Sequence, residues 1–253
     1  MARLGLAGAL VVVPALLLAP ARAQDTARPP VGGVSSPQGA MIFYQAHGPE
    51  GACGSGCSDW IAAEGVVEWD TFKRLFALVQ RLGDRKVPIV LNNWGAGDLK
   101  VATTLGKIIR ERGLDVGVGT TVPNECAGVT DAACFALKRS GKPLDAKIDA
   151  TSVECDIVCV LVLAGGVHRT LPPGAKVVIG PTRITNRLAP NVSAEEQKGL
   201  QSYFGDQYRL YLMQMAVSVE VAETVERNLA TNRATQIPRA DWQRLGIVTS
   251  ARP

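Results

Sequence analysis

Residues 88–121 read PIVLNNWGAGDLKVATTLGKIIRERGLDVGVGTT, and this stretch decides the fold class. Residues 88–91 form a short unbroken apolar run, the pattern of a strand covered on both faces. Residues 92–97 contain two glycines and read as a turn. From 99 to 112 the residues Leu99, Ala102, Leu105, Ile108 and Ile109 recur at helical spacing, and Gly113 stands just past the end. Residues 116–121 return to a run rich in Val and Thr, as a strand requires. Strand, turn, helix, strand is a βαβ unit, and its crossover is right-handed.

The alternation extends outward on both sides. Residues 41–44 and 60–67 read as strands, with Cys53-Gly-Ser-Gly-Cys57 a loop between them. Asp70 or Thr71 caps a helix running to about Leu82, with Phe72, Leu75, Phe76, Val79 and Leu82 on one face. Residues 123–150 hold two cysteines among polar residues and read as an irregular excursion stapled by a disulfide. Residues 153–163 are apolar enough to be a buried helix or a buried strand, ended by Gly165-Gly166, and 176–179 is a further strand. Ser193-Ala-Glu-Glu196 is a capping box opening a helical region that continues, with breaks, to about Asn228. A last short helix follows Pro238 toward Leu245. The class is α/β with a helical C-terminal extension.

The N-terminus is patterned for export. Arg3 precedes an apolar run from Leu4 to Leu18, and Ala21-Arg22-Ala23 places small residues where a signal peptidase cuts. The run is shorter than the ~20 residues that span a bilayer and contains Pro14, so residues 1–23 read as a cleaved signal peptide. Residues 24–40 form a Pro-, Gly- and Ser-rich leader, 41–190 an α/β domain, and 191–253 the helical extension. The expected location is periplasmic or secreted, with no membrane span after cleavage. Without Arg3 and Arg22 the chain carries 25 basic and 23 acidic residues, a balance that excludes a nucleic-acid partner.

Six cysteines, Cys53, Cys57, Cys126, Cys134, Cys155 and Cys159, make an even set in an exported chain, which favours disulfides. The sequence leaves all ~15 pairings open. Their spacings, with only His47 and His168 as further ligands, match no zinc pattern, so no metal and no cofactor are expected.

Several segments together resemble exported proteins related to the ClpP-type serine peptidases, within the ClpP/crotonase fold. They are Cys53-x3-Cys57-x2-Trp60-Ile61-x-Ala63-Glu64-Gly65, the strand Val90-Leu91-Asn92 entering a Gly turn, and Leu105-Gly106-x3-Arg110-x-Arg112-Gly113-Leu114. Cys155-x3-Cys159-x4-Ala164-Gly165-Gly166-x-His168-Arg169 and Trp242-x2-Leu245-Gly246-Ile247-x-Thr249 complete the set. The resemblance covers about residues 41–250 and implies a spiral of βαβ units. It implies a serine at a helix start, a histidine base on a neighbouring strand, and glycine amides that hold an oxyanion.

The chemistry does not carry over. Where the family often has C-x-S-A-C, this chain has Cys155-Asp156-Ile157-Val158-Cys159, so Ile157 holds the serine position. The histidine position after Val177-Val178-Ile179 falls on Gly180 or Pro181, and Ala96 displaces a glycine of the turn. Isoleucine has no proton to give and no lone pair to attack with. The cleft candidates are Gly95, Ala96, Gly97, Asp156 and Ile157. The expected function is a non-catalytic pseudoenzyme that binds a peptide, a small molecule or a protein partner; because the scaffold often oligomerises, a further reading is a subunit that assembles with an active relative. The rival is a hydrolase with a relocated nucleophile such as Ser152, with Lys147 as base. Coenzyme A is disfavoured because acyl-coenzyme-A pools are cytosolic. Of the histidines, His168 reads as a surface basic position and His47 as a loop residue; Asn191-Val-Ser193 is a glycosylation sequon whose serine is better used as a cap.

Overall fold

The computed structural model describes residues 39–182 and 191–249. The signal segment, almost all of the leader and residues 183–190 lie outside the described residues. In chain order come β1 (Ile42–His47), β2 (Asp59–Val67), α1 (Thr71–Leu82), β3 (Ile89–Gly97), α2 (Leu99–Arg112), β4 (Val116–Val118) and β5 (Thr120–Pro123). Then follow α3 (Asp131–Lys138), β6 (Leu144–Asp149), β7 (Glu154–Cys155), α4 (Ile157–Ala164), β8 (Arg169–Thr170) and β9 (Lys176–Ile179). The helices α5 (Ala194–Gln214) and α6 (Glu220–Thr231) and the strand β10 (Thr235–Ile237) complete the order.

The fold is α/β, as the βαβ pattern requires. A seven-stranded sheet runs β5-β6-β1-β2-β3-β4-β8, and a three-stranded sheet runs β10-β9-β7. β2, β3 and β4 are parallel neighbours, joined through α1 and α2, and β8 adds to β4 in parallel. β1 meets β2 antiparallel, and β7 meets β9 in parallel with Cys155 opposite Val177. Helix α4 is apolar all round and all eight of its residues are buried, which is what a helix at the centre of a molecule looks like. Its core takes in α1, α2, the inner face of β3 and the C-terminal helices together.

Several local expectations need correction. Residues 92–97 are the second half of β3 rather than a plain turn: Gly65 pairs with Asn93 and Val67 with Gly97, so the strand bulges between them. On α1 the inward residues include Thr71, Arg74, Leu75, Leu78 and Val79, while Phe76 is exposed. The five-residue face expected from the sequence is rotated, because Arg74 is buried by an ion pair with Asp70 that hydropathy does not register. Asp70 thus spends its carboxylate on Arg74 and makes no side-chain cap. The strand expected at 116–121 divides at Gly119, and β5 turns away to pair with β6. The excursion at 123–150 is more regular than expected: it contains α3 and β6, and β6 is a full member of the main sheet. The apolar run at 153–163 is both things in turn, a two-residue strand followed by α4. After Pro238 the chain makes a single short 3-10 turn, Arg239–Asp241, in place of a helix to Leu245.

The six cysteines form three local disulfides, Cys53–Cys57, Cys126–Cys134 and Cys155–Cys159. Three disulfides fit an oxidising compartment. Among the described residues no helix is long and apolar enough to cross a membrane.

Candidate functional site

Two strands and a bulge assemble the site. β7 and β9 run side by side in the same direction, so Ile157 and Gly180 both follow the C-terminal ends of paired strands. The bulge of β3 approaches the N-terminus of α4 from the main sheet. The bulge and the start of α4 meet at Asp156, which Asn93 of the bulge contacts directly; Ile157 follows Asp156, and Gly180 follows β9. Neither Ile157 nor Gly180 carries a nucleophile or a base.

The bulge has an unusual backbone. Gly95, Ala96 and Gly97 all have positive φ, at 82°, 51° and 129°. Ala96 tolerates this region at a modest cost, whereas Gly97 has no alternative: a Cβ there would lie 2.8 Å from the Val67 carbonyl oxygen. The bulge thereby brings the Ala96 amide near enough to Asp156 to favour the charged form of its carboxyl.

Asp156 is the N-cap of α4. Its Oδ1 accepts from the Cys159 N–H at 2.9 Å and from Asn93 Nδ2 at 3.0 Å, and the Val158 N–H donates to the same carboxylate. Four donors and a helix N-terminus all favour a negative charge here. Burial works the other way and is stronger, so the Asp156 carboxyl stands above its ordinary 3.8. Asn93 belongs to this set of donors and escaped notice in the sequence, where an Asn beside a glycine turn reads as turn chemistry.

Ile157 is buried, only 6% exposed, and flanked by the buried disulfide Cys155–Cys159. It borders a small apolar cavity of about 30 Å³ with Leu99, Leu161, Tyr208, Leu212 and Val225. Tyr208 and Leu212 come from α5 and Val225 from α6, so the C-terminal helices close over Ile157. Tyr211 secures them by donating its hydroxyl to the Leu161 carbonyl at 2.6 Å, and burial raises its phenol well above the usual range. Gly180 faces open space, with no atom within 4 Å of where a Cβ would stand.

The other candidates lie elsewhere. Ser152 is exposed in the bend before β7, Lys147 is exposed on β6, and no hydrogen bond joins them among the described residues. His168 pairs through Nδ1 with Asp115 at 2.8 Å, and His47 with Asp59 at 2.8 Å, both at partly exposed positions. Asp156 faces neither histidine in its hydrogen bonding. Among the described residues no group of three or more His, Cys, Asp or Glu side chains gathers as metal ligands would. The capping box at Ser193 and Glu196 is present, so the sequon's serine serves α5.

No protein-family model matches the sequence, and no curated protein matches it. Among solved structures, the chain is similar to the membrane-bound stomatin-specific protease 1510-N in a serine-to-alanine mutant. The identity is 14% and the TM-score 0.39, over 72% of this chain and 77% of the other. A lysine-to-alanine mutant of that protease, in complex with a substrate peptide, aligns at 11% identity and a TM-score of 0.36 over 72% and 73%.

Proposed function

We propose that this chain is an exported protein on a ClpP-like serine-peptidase scaffold that has lost peptidase chemistry and acts by binding a peptide, a small molecule or a protein partner. One observation carries the reading: the Asp156 carboxylate sits at the N-terminus of α4, accepting from the Cys159 N–H and from Asn93 of the bulge, where a peptidase of this kind would stabilise an oxyanion. A second negative charge could not enter that position without displacing the first. Beside it Ile157 offers neither nucleophile nor proton, and Gly180 offers no base. A catalytic site lacking nucleophile, base and a free oxyanion hole retains none of the three contributions that accelerate acyl transfer.

Export is supported by the signal-like pattern of residues 1–23 and by three disulfides, which persist where the surroundings are oxidising. The relocated nucleophile Ser152 draws no support, being exposed and without a base.

The test is covalent. The mature protein, residues 24–253, is incubated with a fluorophosphonate probe and read by intact mass. It stays unmodified on this reading, whereas stoichiometric modification of any serine overturns it.

A further inference from the structure

The two faces of the main sheet are covered differently. Along β2 and β3 the residues Ile61, Ala63, Ile89 and Leu91 face the core that holds α1, α2 and α4, while Trp60, Ala62 and Val90 alternate to the other side. There they form a second buried cluster with Ile42, Tyr44 and Ala46 of β1 and with Leu144 and Ala146 of β6. Every buried residue of this cluster comes from a strand. The apolar cover that reaches it from outside the sheet is Ala52 and Cys53 of the β1–β2 loop and Leu137 of α3.

α3 is a weak cover in itself. None of its residues is buried, and Phe135 is 40% exposed. Isolated helices shorter than ~12–15 residues are marginal in water, so one this short without a buried side chain does not persist unaided. Thr130 caps its first turn, and two further fasteners supply what packing does not. Cys134, in the middle of α3, is bonded to Cys126 in the 3-10 turn Asn124–Cys126 that follows β5. At the other end Lys138 Nζ donates to Glu64 Oε1 at 2.6 Å and lies over the Tyr44 ring, whose hydroxyl donates to the same carboxylate at 3.1 Å.

The two fasteners differ in what can undo them. The Lys138 and Glu64 side chains are 14% and 8% exposed, so their ion pair is shielded by the fold. Cys126 and Cys134 are both partly exposed, whereas Cys155 and Cys159 at the start of α4 are fully buried. An attacking thiolate needs access to a sulfur, and it has that access at the α3 disulfide and lacks it at the α4 disulfide.

We propose that Cys126–Cys134 is a redox clamp on α3: a dithiol reductant opens it, α3 unwinds from its Cys134 end, and the second face of the sheet loses that part of its cover. One thiolate of the reductant attacks a cysteine sulfur, breaks the S–S bond and forms a mixed disulfide. The second thiolate then displaces the cysteine, so the reductant leaves as its own disulfide. Cys126 and Cys134 each end as a thiol, having received two electrons and two protons together. Lys138 stays on Glu64, so the segment remains tethered, and exchange with an oxidised dithiol restores the same pair. The clamp lies on the opposite face of the sheet from α4, and it is independent of what the α4 cleft binds.

Residues 24–253 are equilibrated with increasing dithiothreitol at neutral pH, free thiols are alkylated, and the peptides are read by mass. Cys126 and Cys134 become alkylated at concentrations that leave Cys155 and Cys159 oxidised. Amide hydrogen exchange is then measured on the protein reduced to that point and, without reductant, on the double variant Cys126→Ser with Cys134→Ser. In both, exchange across residues 127–137 speeds at least ~10-fold, which lies within what closing a loop of this length contributes, while α2 and α4 keep their protection. The double variant Cys53→Ser with Cys57→Ser leaves α3 as protected as in the wild type. Reduction of Cys155 and Cys159 together with the α3 pair overturns the proposal. So does unchanged exchange of α3 in the Cys126/Cys134 variant, equal acceleration of α3 in the Cys53/Cys57 variant, or a loss of protection that extends to α2 and α4.

Discussion

Asp156 is where opposing effects can be weighed. Four hydrogen-bond donors stabilise its charge and burial penalises it, and the balance leaves its pKa above 3.8. In the unfolded chain the same carboxyl ionises near its ordinary value. Between the two values the folded state therefore holds more protons than the unfolded one, and stability falls as pH rises through that window. The favourable contribution of the protonated form is fully present below 3.8 and lost above the raised value. Asp156→Asn keeps a residue able to cap α4 and removes the titration. Urea unfolding of both proteins across roughly pH 3.5–7, spanning the ordinary carboxyl range, is expected to show the wild type losing stability relative to the variant as pH increases. A difference that does not change with pH would show that the carboxyl is not held above its ordinary value. In the sequence Asp156 was recognisable as an acid near a helix start. Its partner across the molecule was not, because Ala96 reaches it only through three successive positive φ angles that no residue pattern announces.

At the scale of elements, the packing of α2 against α4 depends on two glycines for their size. Gly165 has φ −64°, which any residue adopts, so its need is steric rather than conformational. A methyl group on it would run into the backbone of Gly106, and one on Gly106 would strike the Tyr211 hydroxyl and the Leu161 carbonyl. Gly165→Ala is expected to cost about 1–3 kcal/mol or more, the range for overpacking a tight core. Gly180→Ala, facing open space, should stay within about 0.5 kcal/mol of the wild type. Chemical denaturation of both variants decides the matter, and equal costs would refute the close approach. The same two glycines show what the sequence discloses about elements. α2 was legible to the residue, from Leu99 to Arg112, because its apolar period and Gly113 agree, and the structure adds a cap at Asp98. The Gly165-Gly166 pair was legible only as an end to α4, since a close approach between two helices leaves no local signature. β6 was missed because its pattern, Leu144, Ala146 and Ile148 alternating with charges, is short and follows a disulfide-closed helix, so polar composition outweighed its period of two.

For the whole molecule, the question is whether residues 191–253 are an appendage or part of the core. Tyr211, Leu212, Met215, Val221, Trp242 and Leu245 are all buried in the cluster that holds α4 and the strand β3. Burying a side chain of this size contributes ~1.5–3 kcal/mol, so six together contribute on the order of 10 kcal/mol, comparable with the whole stability of a typical domain. Two arginines, Arg169 buried and Arg110 half-buried, add polar ties. Arg169 donates to the carbonyls of Ala164 at 3.1 Å and Met215 at 2.7 Å, and Arg110 donates to those of Ala164 and Gly166, each at 2.9 Å. These are carbonyls left without partners where α4 and α5 end, and a guanidinium there also meets the negative end of each helix. Burial, reinforced by the charge of Arg110, lowers the Arg169 pKa to about 10, so it remains charged at neutral pH. A chain ending at residue 190 would lose the cover over Leu161 and Ile157 and leave both arginines without some of their acceptors. Residues 24–190 alone are therefore expected to show no cooperative thermal transition and to bind a hydrophobic dye, whereas residues 24–253 melt in one step. A sharp transition for the shorter chain would mean that the α/β part carries a sufficient core of its own, and that the cover over Ile157 is an addition to the fold rather than part of it.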